Sequence, residues 1–473
     1  MLKIGFCEVS LTPDVNGLAL EGQFYERLSE YVETPITVTA MAVDGGEAHS
    51  VVCSCDLTFT PACLMERVRE IVSEAEKEIN PESIILAATH THSAMKLEDK
   101  GPLAGYDVFL NYIKDLKPYQ RMAPESKFTT ADALEFVSKR VAEAIVSAWR
   151  GRKTAYVANE VGYAAVSWGR RAVYSDGTAK MYGNTHVENF EGIECSSDNG
   201  VELLYVFDEK KELMGVAANV CCPAQIVELH SFISSDYWGK ARMFLRERFG
   251  DKVCLLGLCG AGGDQSPRDL IRSHGDFSEP MYNVEGTLIL GKRIANIIDE
   301  CYETAVKDMT SDAPVSHNVE ILSLPIRQVS PLDVERCDAK IRETLAKNPK
   351  DYFNYEDYQD LYNELGIMER AELQKTVTAI DEEIHSLRIG DTVFVTNPFE
   401  LFINFGNQIK ARSLAKNTFI LQLSCGARGY LPTDRAARGG HYSAYIASGF
   451  VGEEGGRILV EKSVEMINSE FLK

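Results

Sequence analysis

Two histidines one residue apart, His90 and His92 in LAATHTHSA (86–94), are the first residues of this chain whose type and spacing suggest chemistry. Only 9 histidines occur in 473 residues, so their placement is informative. The apolar run before them reads as a buried strand ending at Ala88, and open α/β sheets gather ligands at the C-terminal ends of their strands. Strand alternation would send both rings the same way, which suits one metal ligand with an acid–base neighbour beside it. Two loop histidines making ordinary hydrogen bonds would give the same pattern.

Further groups could join them. LGLCGAGGDQSPRD (256–269) passes from an apolar strand into glycines at 257, 260, 262 and 263, then Asp264 and Ser266. Glycines let backbone N–H groups approach a ligand closely, so Ser266 reads as a nucleophilic or anion-orienting serine. A strand-to-helix turn is the other account. No Gly-Lys-Ser/Thr follows, so this is not a phosphate loop. In TNPFELF (396–402), Pro398 is expected to start a helix with Glu400 in its first turn, where a carboxylate suits the helix dipole. Beside His90 it becomes a candidate carboxylate ligand. RGGHYSAY (438–445) offers His441 and Tyr442, although tyrosine is an uncommon metal ligand. VSWGRRAVYSDG (166–177) offers Arg170 and Arg171, whose guanidinium groups either hold a substrate oxygen or carboxylate or form a surface ion pair. Gly263, Asp264 and Arg171 are the expected substrate contacts. Cys221-Cys222-Pro223 breaks a strand-like run, and an adjacent cysteine pair is a poor redox motif because its disulfide ring is strained.

The elements that must position these groups alternate. Strands are expected over 51–59, 83–89, 201–207, 215–221, 252–258 and 391–397. Helices are expected from Leu64, Val68, Ile71, Val72 and Ile79 on one face, from Leu134, Val137, Val141, Ile145 and Trp149 on another, and over 237–249, 284–305, 399–413 and 455–470. Residues 330–375 are rich in Glu, Lys, Asp and Tyr and read as a helical, solvent-facing excursion from a single catalytic domain spanning 1–473. The fold class is α/β, with mixed sheets flanked by helices.

Composition narrows the rest. The 49 basic and 70 acidic residues give a net charge of -21, which argues against nucleic acid and anionic membranes as partners. No window is long and apolar enough for an integral membrane segment. The 12 cysteines are scattered, and MLKIGFCEVSLTPD reads as a strand rather than a leader, so reduced thiols in a cytoplasmic protein are expected.

In this order GFCEVSLTPD, ATHTHS, GRR, FISSDYWG, GAGGDQSP, NPFELF and the GYLPT…GGHY block resemble the neutral/alkaline non-lysosomal ceramidase family, over about residues 4 to 445. The resemblance implies the catalytic domain of a zinc-dependent amidase that cleaves the N-acyl bond of ceramide. It implies zinc ligands that include His90, Glu400 and Tyr442, with His92 and Arg170 beside the metal and Ser266 as a nucleophile or orienting hydroxyl. Zinc brings the pKa of a bound water to about 7 and polarises an acyl carbonyl, and His92 would pass a proton to the leaving amine. A second histidine ligand of the family falls at Cys222 here, so either its thiolate substitutes, or His230 swings in, or the site is metal-poor. The family also carries a C-terminal immunoglobulin-like domain and is exported or membrane-associated. This chain ends at Lys473 after an amphipathic helix and has no hydrophobic hairpin for dipping into a bilayer. A soluble, small N-acyl amide or related ester is therefore the expected substrate, with lipid less favoured. A metal-free serine acyl hydrolase using Ser266 with His92 as base, and a non-catalytic ligand- or metal-binding protein, stay open.

Overall fold

A computed structural model describes residues 1–98, 106–113, 115–117, 123–273, 279–347, 349, 351–352 and 354–472. Eight strands hydrogen-bond in the order Cys254–Cys259, Leu213–Val220, Gly200–Asp208, Lys153–Tyr163, Lys3–Ser10, Thr37–Asp44, His49–Cys55, Ile84–Ala88. The outermost pair at each end is parallel and the pairs between are antiparallel. Each parallel pair requires a crossover, supplied by helices Ala62–Ala75 and Asp236–Phe249. The two halves join at one short rung set, Lys3 with Thr154 and Ile4 with Lys153.

A second sheet runs Val315–Pro325, Ala379–Ile389, Thr392–Thr396, Asn417–Leu421, its last pair parallel around helix Ile403–Arg412. Inner faces of both halves and of this second sheet share one core, which includes Ile4, Met41, Ile85, Leu256, Phe394 and Phe419. Each outer face has its own helical cover. Val68 and Ile145 close the first, Trp238 and Ile294 the second, Phe405 and Leu459 the third. Strands buried at every position, such as Ile84–Ala88 and Gly200–Asp208, are those with continuous apolar sequence. The architecture is the mixed α/β fold that the alternation implied.

Polar backbone bonds draw the strand ends together. Ala88 N–H donates to Leu423 O at 3.4 Å, Gln422 N–H to Cys259 O at 3.1 Å, and Gly260 N–H to Val220 O at 2.8 Å. His90 follows the end at Ala88, Cys222 the end at Val220, and the segment Gly263–Ser266 the end at Cys259.

Two readings are corrected. The segment after Pro398 does not enter a helix at once: Glu400 and Leu401 form a two-residue parallel pairing with Tyr430 and Leu431, and the helix begins at Ile403. Residues 331–347 and 355–373 are helical, but not simply solvent-facing. Tyr358, Leu361 and Leu365 bury against Phe109 and Ile341 in a small apolar cluster of their own. Positions 348, 350 and 353 of that stretch lie outside the described residues. No described helix is long and apolar enough to cross a membrane, and none of the 12 cysteines forms a disulfide.

Candidate active site

His90 follows the edge strand in a left-handed conformation, φ 61°, and its side chain is 2% exposed. Its Nδ1 lies 2.8 Å from the Thr58 carbonyl oxygen. A carbonyl only accepts, so Nδ1 carries the hydrogen and Nε2 is the free ring nitrogen of the neutral form. That Nε2 stands 3.3 Å from Glu400 Oε2 and 3.3 Å from His92 Nε2. Two ligands about 2.0–2.1 Å from one tetrahedral zinc are separated by about 3.3–3.4 Å. The His90–Glu400 separation matches that spacing as well as it matches a plain imidazole–carboxylate contact.

The parallel pairing fixes Glu400. Its N–H donates to Gly429 O at 2.9 Å, and its register partner is Tyr430. Gly263 packs directly on the Glu400 backbone, where a Cβ would collide with the Glu400 carbonyl. Burial alone would raise the Glu400 carboxyl, but the His90 imidazole beside it and the nearby Arg170 charge hold it below the usual carboxylate range. Burial pushes the Tyr430 and Tyr442 hydroxyls far up, so both stay protonated and donate. Tyr442 hydrogen-bonds Tyr430, and Tyr430 hydrogen-bonds Glu400. Tyr442 thus reaches the carboxylate through a second tyrosine.

His92 sits on the other flank. Its Nδ1 is 3.2 Å from Glu228 Oε2, close but poorly aligned for a hydrogen bond, so the contact is electrostatic. Arg268 pairs with Glu228, and Gln23 Nε2 donates to it at 3.3 Å. Burial drives the His92 imidazole below its ordinary pKa, so it is neutral at pH 7. Gly22, at φ +103°, presses on this ring: a Cβ there would lie 2.7 Å from His92 Cβ.

Arg170 links the two flanks. One amino group donates to Gln225 Oε1 at 2.9 Å, the other to Gly263 O at 2.8 Å and to the Tyr430 hydroxyl at 3.3 Å. Its neighbour goes elsewhere. Arg171 makes a buried pair with Glu194 at 2.6 Å and donates to Tyr442 O, Ser443 Oγ, Ala436 O and Gly440 O, holding the loop that carries Tyr442. Asp264 accepts from Ile403 N–H at 2.9 Å and so caps the helix after Glu400. Gly263, Asp264 and Arg171 each build framework around the site.

Ser266 Oγ lies 3.2 Å from the Tyr182 hydroxyl and accepts from Arg268 N–H at 3.1 Å. Among the described residues no hydrogen bond joins it to His92. Cys222 is fully buried among Val220, Ile226, Tyr237 and Trp238, and its thiol points to the adjacent Pro223 carbonyl at 3.6 Å. His230 stacks on Phe232 and turns Nε2 to Tyr282 O at 3.1 Å. Neither His90, Glu400 and Cys222 nor His90, His92 and Glu400 gather three donor atoms mutually within 4.8 Å. The structure brings His90, Glu400, His92 and Arg170 together, with Tyr442 one hydroxyl away. It does not bring the Cys222 thiol or His230 to them.

Tyr430, Glu228, Gln225 and Arg268 were not singled out by sequence reasoning. Gln225 and Glu228 lie within PAQIVELH, and Arg268 closes GDQSPRD, so polar residues beside the motifs were the available signal.

The approach to Tyr442 is aromatic. Phe24, Tyr358, Tyr362 and Tyr445 line a cavity of about 350 Å³ there, with Lys340, Asp360 and Glu364 at its polar margin. Phe24 and Tyr362 both lean on the Tyr442 ring, with centroids at 5.2 and 5.8 Å.

The fold is shared with solved ceramidases. A ceramidase complexed with C2 matches at a TM-score of 0.69 and 13% identity, covering 100% of this chain and 75% of that one. The neutral ceramidase from Pseudomonas aeruginosa matches at a TM-score of 0.69 and 14% identity, covering 99% and 74%. No family model and no curated protein matches the sequence. The chain has the fold of these neutral ceramidase structures.

Proposed function

We propose that this chain is a zinc-dependent hydrolase that cleaves the C–N bond of a small N-acyl compound. The observation that carries the proposal is the pair His90 and Glu400, whose donor atoms face each other at 3.3 Å while Thr58 engages the far side of the imidazole. A metal-ligating histidine commonly gives its second nitrogen to a carbonyl in this way. The ceramidase-like fold supports an amide as the bond attacked.

His90 and Glu400 would hold the ion, with the Tyr430 hydroxyl and His92 at its margin. When bound, zinc polarises an acyl carbonyl and makes a water nucleophilic at neutral pH. Arg170 brings its positive charge beside Glu400 and would favour the negative charge that develops on an acyl oxygen, while Tyr430, which gives its hydrogen to Glu400, holds the carboxylate in place. His92, neutral and backed by Glu228 and Arg268, takes a proton and returns it to the departing amine. Amide hydrolysis needs that return, because an amide anion is a poor leaving group. The aromatic cavity beside Tyr442, lined by Phe24, Tyr358 and Tyr362, would take an apolar acyl group.

Metal analysis of the purified protein, with turnover of a panel of N-acyl amines followed by mass spectrometry, tests the reading. One equivalent of zinc present in wild type and lost in His90→Ala together with activity is the expected result. Zinc content unchanged by His90→Ala, or a zinc-loaded protein that turns over no amide of the panel, would overturn it.

A further inference from the structure

We propose that Glu383, His385 and Cys425 form a second metal site, for a thiophilic divalent ion of the zinc class, separate from His90 and Glu400. One donor atom from each of the three lies within 4.8 Å of the others. Glu383 and His385 alternate along strand Ala379–Ile389 and so share a face of the sheet. Cys425 reaches them from the segment after strand Asn417–Leu421. It is held in a left-handed conformation, φ 57°, by donation of its N–H to Leu86 O at 2.9 Å.

The three donors are a thiol, an imidazole and a carboxylate. Zinc-class ions accept that mixture, whereas magnesium and calcium prefer oxygen alone. The surroundings support each donor. Arg69 grips both Glu383 oxygens, at 2.6 and 3.1 Å, which fixes the carboxylate plane. His385 Nε2 faces Glu383 Oε1 at 2.8 Å, and its Nδ1 meets His317 Nε2 at 3.0 Å. An imidazole held at one nitrogen with the other turned into a donor cluster is the arrangement of a metal-binding histidine. An ion pair between Arg69 and Glu383 would by itself require neither the fully buried His385 nor the thiol. The Glu383 side chain is 21% exposed, which leaves an entry path. Binding would release the thiol proton and the proton shared by His385 and Glu383 to solvent.

The ion would be a structural clamp. It would tie the second sheet to the segment 422–430, which bridges to the edge strand through Ala87 and Ser424 and ends at Tyr430 beside Glu400.

The test uses full-length protein, freed of metal and titrated with Co²⁺, then analysed for Zn²⁺ by equilibrium dialysis. In His90→Ala, one ion per chain and a thiolate-to-cobalt charge-transfer band are expected. Cys425→Ser should lose the band while Cys222→Ser keeps it. A His90→Ala protein that binds no ion, or a band that disappears with Cys222→Ser and survives Cys425→Ser, would overturn the proposal. Folding of each variant is checked by circular dichroism, and His385→Gln provides a second route to the same loss. In wild type, saturating Zn²⁺ should slow alkylation of Cys425, mapped by peptide mass spectrometry, at least tenfold. An unchanged rate would also overturn it.

Discussion

His90 gives its Nδ1 hydrogen to the Thr58 carbonyl and turns Nε2 to within 3.3 Å of Glu400 Oε2. The two donors come from different sheets, so the spacing depends on the seam between them. Glu400→Gln keeps the shape of the side chain and removes its charge. We expect kcat/KM to fall about a thousandfold, about 4 kcal/mol of transition-state stabilisation, with zinc content reduced in parallel. Full zinc loading and near wild-type turnover in Glu400→Gln would dismiss the assignment.

Tyr430 should affect rate more than metal content. Its hydroxyl hydrogen-bonds Glu400 and accepts from Arg170 at 3.3 Å. Tyr430→Phe deletes one donor, and about a tenfold drop in kcat follows from a hydrogen bond of about 1.4 kcal/mol. Steady-state kinetics beside zinc analysis separates the two effects.

Gly22 and Gly46 make a matched pair. Both are left-handed, at φ +103° and +95°, but a Cβ on Gly22 would sit 2.7 Å from His92 whereas one on Gly46 meets nothing within 4 Å. Each alanine variant should lose about 1 kcal/mol of stability from backbone strain. Only Gly22→Ala should lose activity, by tenfold or more. Equal kcat in the two variants would show that His92 placement is not under this control.

The buried pair Arg171–Glu194 is a stability device. With Arg171 fully buried and Glu194 nearly so, Glu194→Gln leaves a buried guanidinium without its counter-charge. Breaking such a pair costs about 3–5 kcal/mol, read as a shift of the urea midpoint. A loss under 1 kcal/mol would mean that the four carbonyl and hydroxyl contacts of Arg171 suffice without the carboxylate.

Asp236 gives a pH signature. Burial raises its carboxyl to about 6, against the backbone N–H donors of Val227 and Tyr237. The unfolded chain releases that proton near pH 4. Between about 4 and 6 the folded state holds the extra proton, so this group's contribution is fully present below 4 and is lost as pH rises through 6. The difference amounts to about 3 kcal/mol. Unfolding free energies of wild type and Asp236→Asn, compared at pH 7 and pH 4.5, should therefore diverge, wild type gaining at the lower pH. A constant difference would rule this out.

Much of the fold was legible because the strands at 84–88 and 200–208 and the helices at 62–75 and 130–150 carry long, unmixed patterns. Strands such as Val315–Pro325 mix exposed and buried positions with polar residues, and periodicity does not pick them out. The site divides the same way. His90 and His92 stand at the end of a strand that the sequence marks clearly. The role of Tyr430 depends on a two-residue pairing with a segment about thirty positions earlier, which no local pattern encodes. Arg170 and Arg171 looked equivalent, yet adjacent residues of an extended chain point to opposite sides, and only Arg170 faces Glu400. Cys222 occupied the expected register, but its thiol turns back to Pro223.

The two helices over 331–373 carry their own apolar cluster and meet the chemistry through rings, with Tyr362 against Tyr442. Substitutions on the cavity-facing side of these helices can accumulate without touching a residue that handles the proton or the carbonyl. On the proposed function, selectivity and reactivity would then be encoded in different stretches of chain. A lineage built on this fold would then change what it accepts by redrawing that helical roof, while the residues around His90 stay as they were.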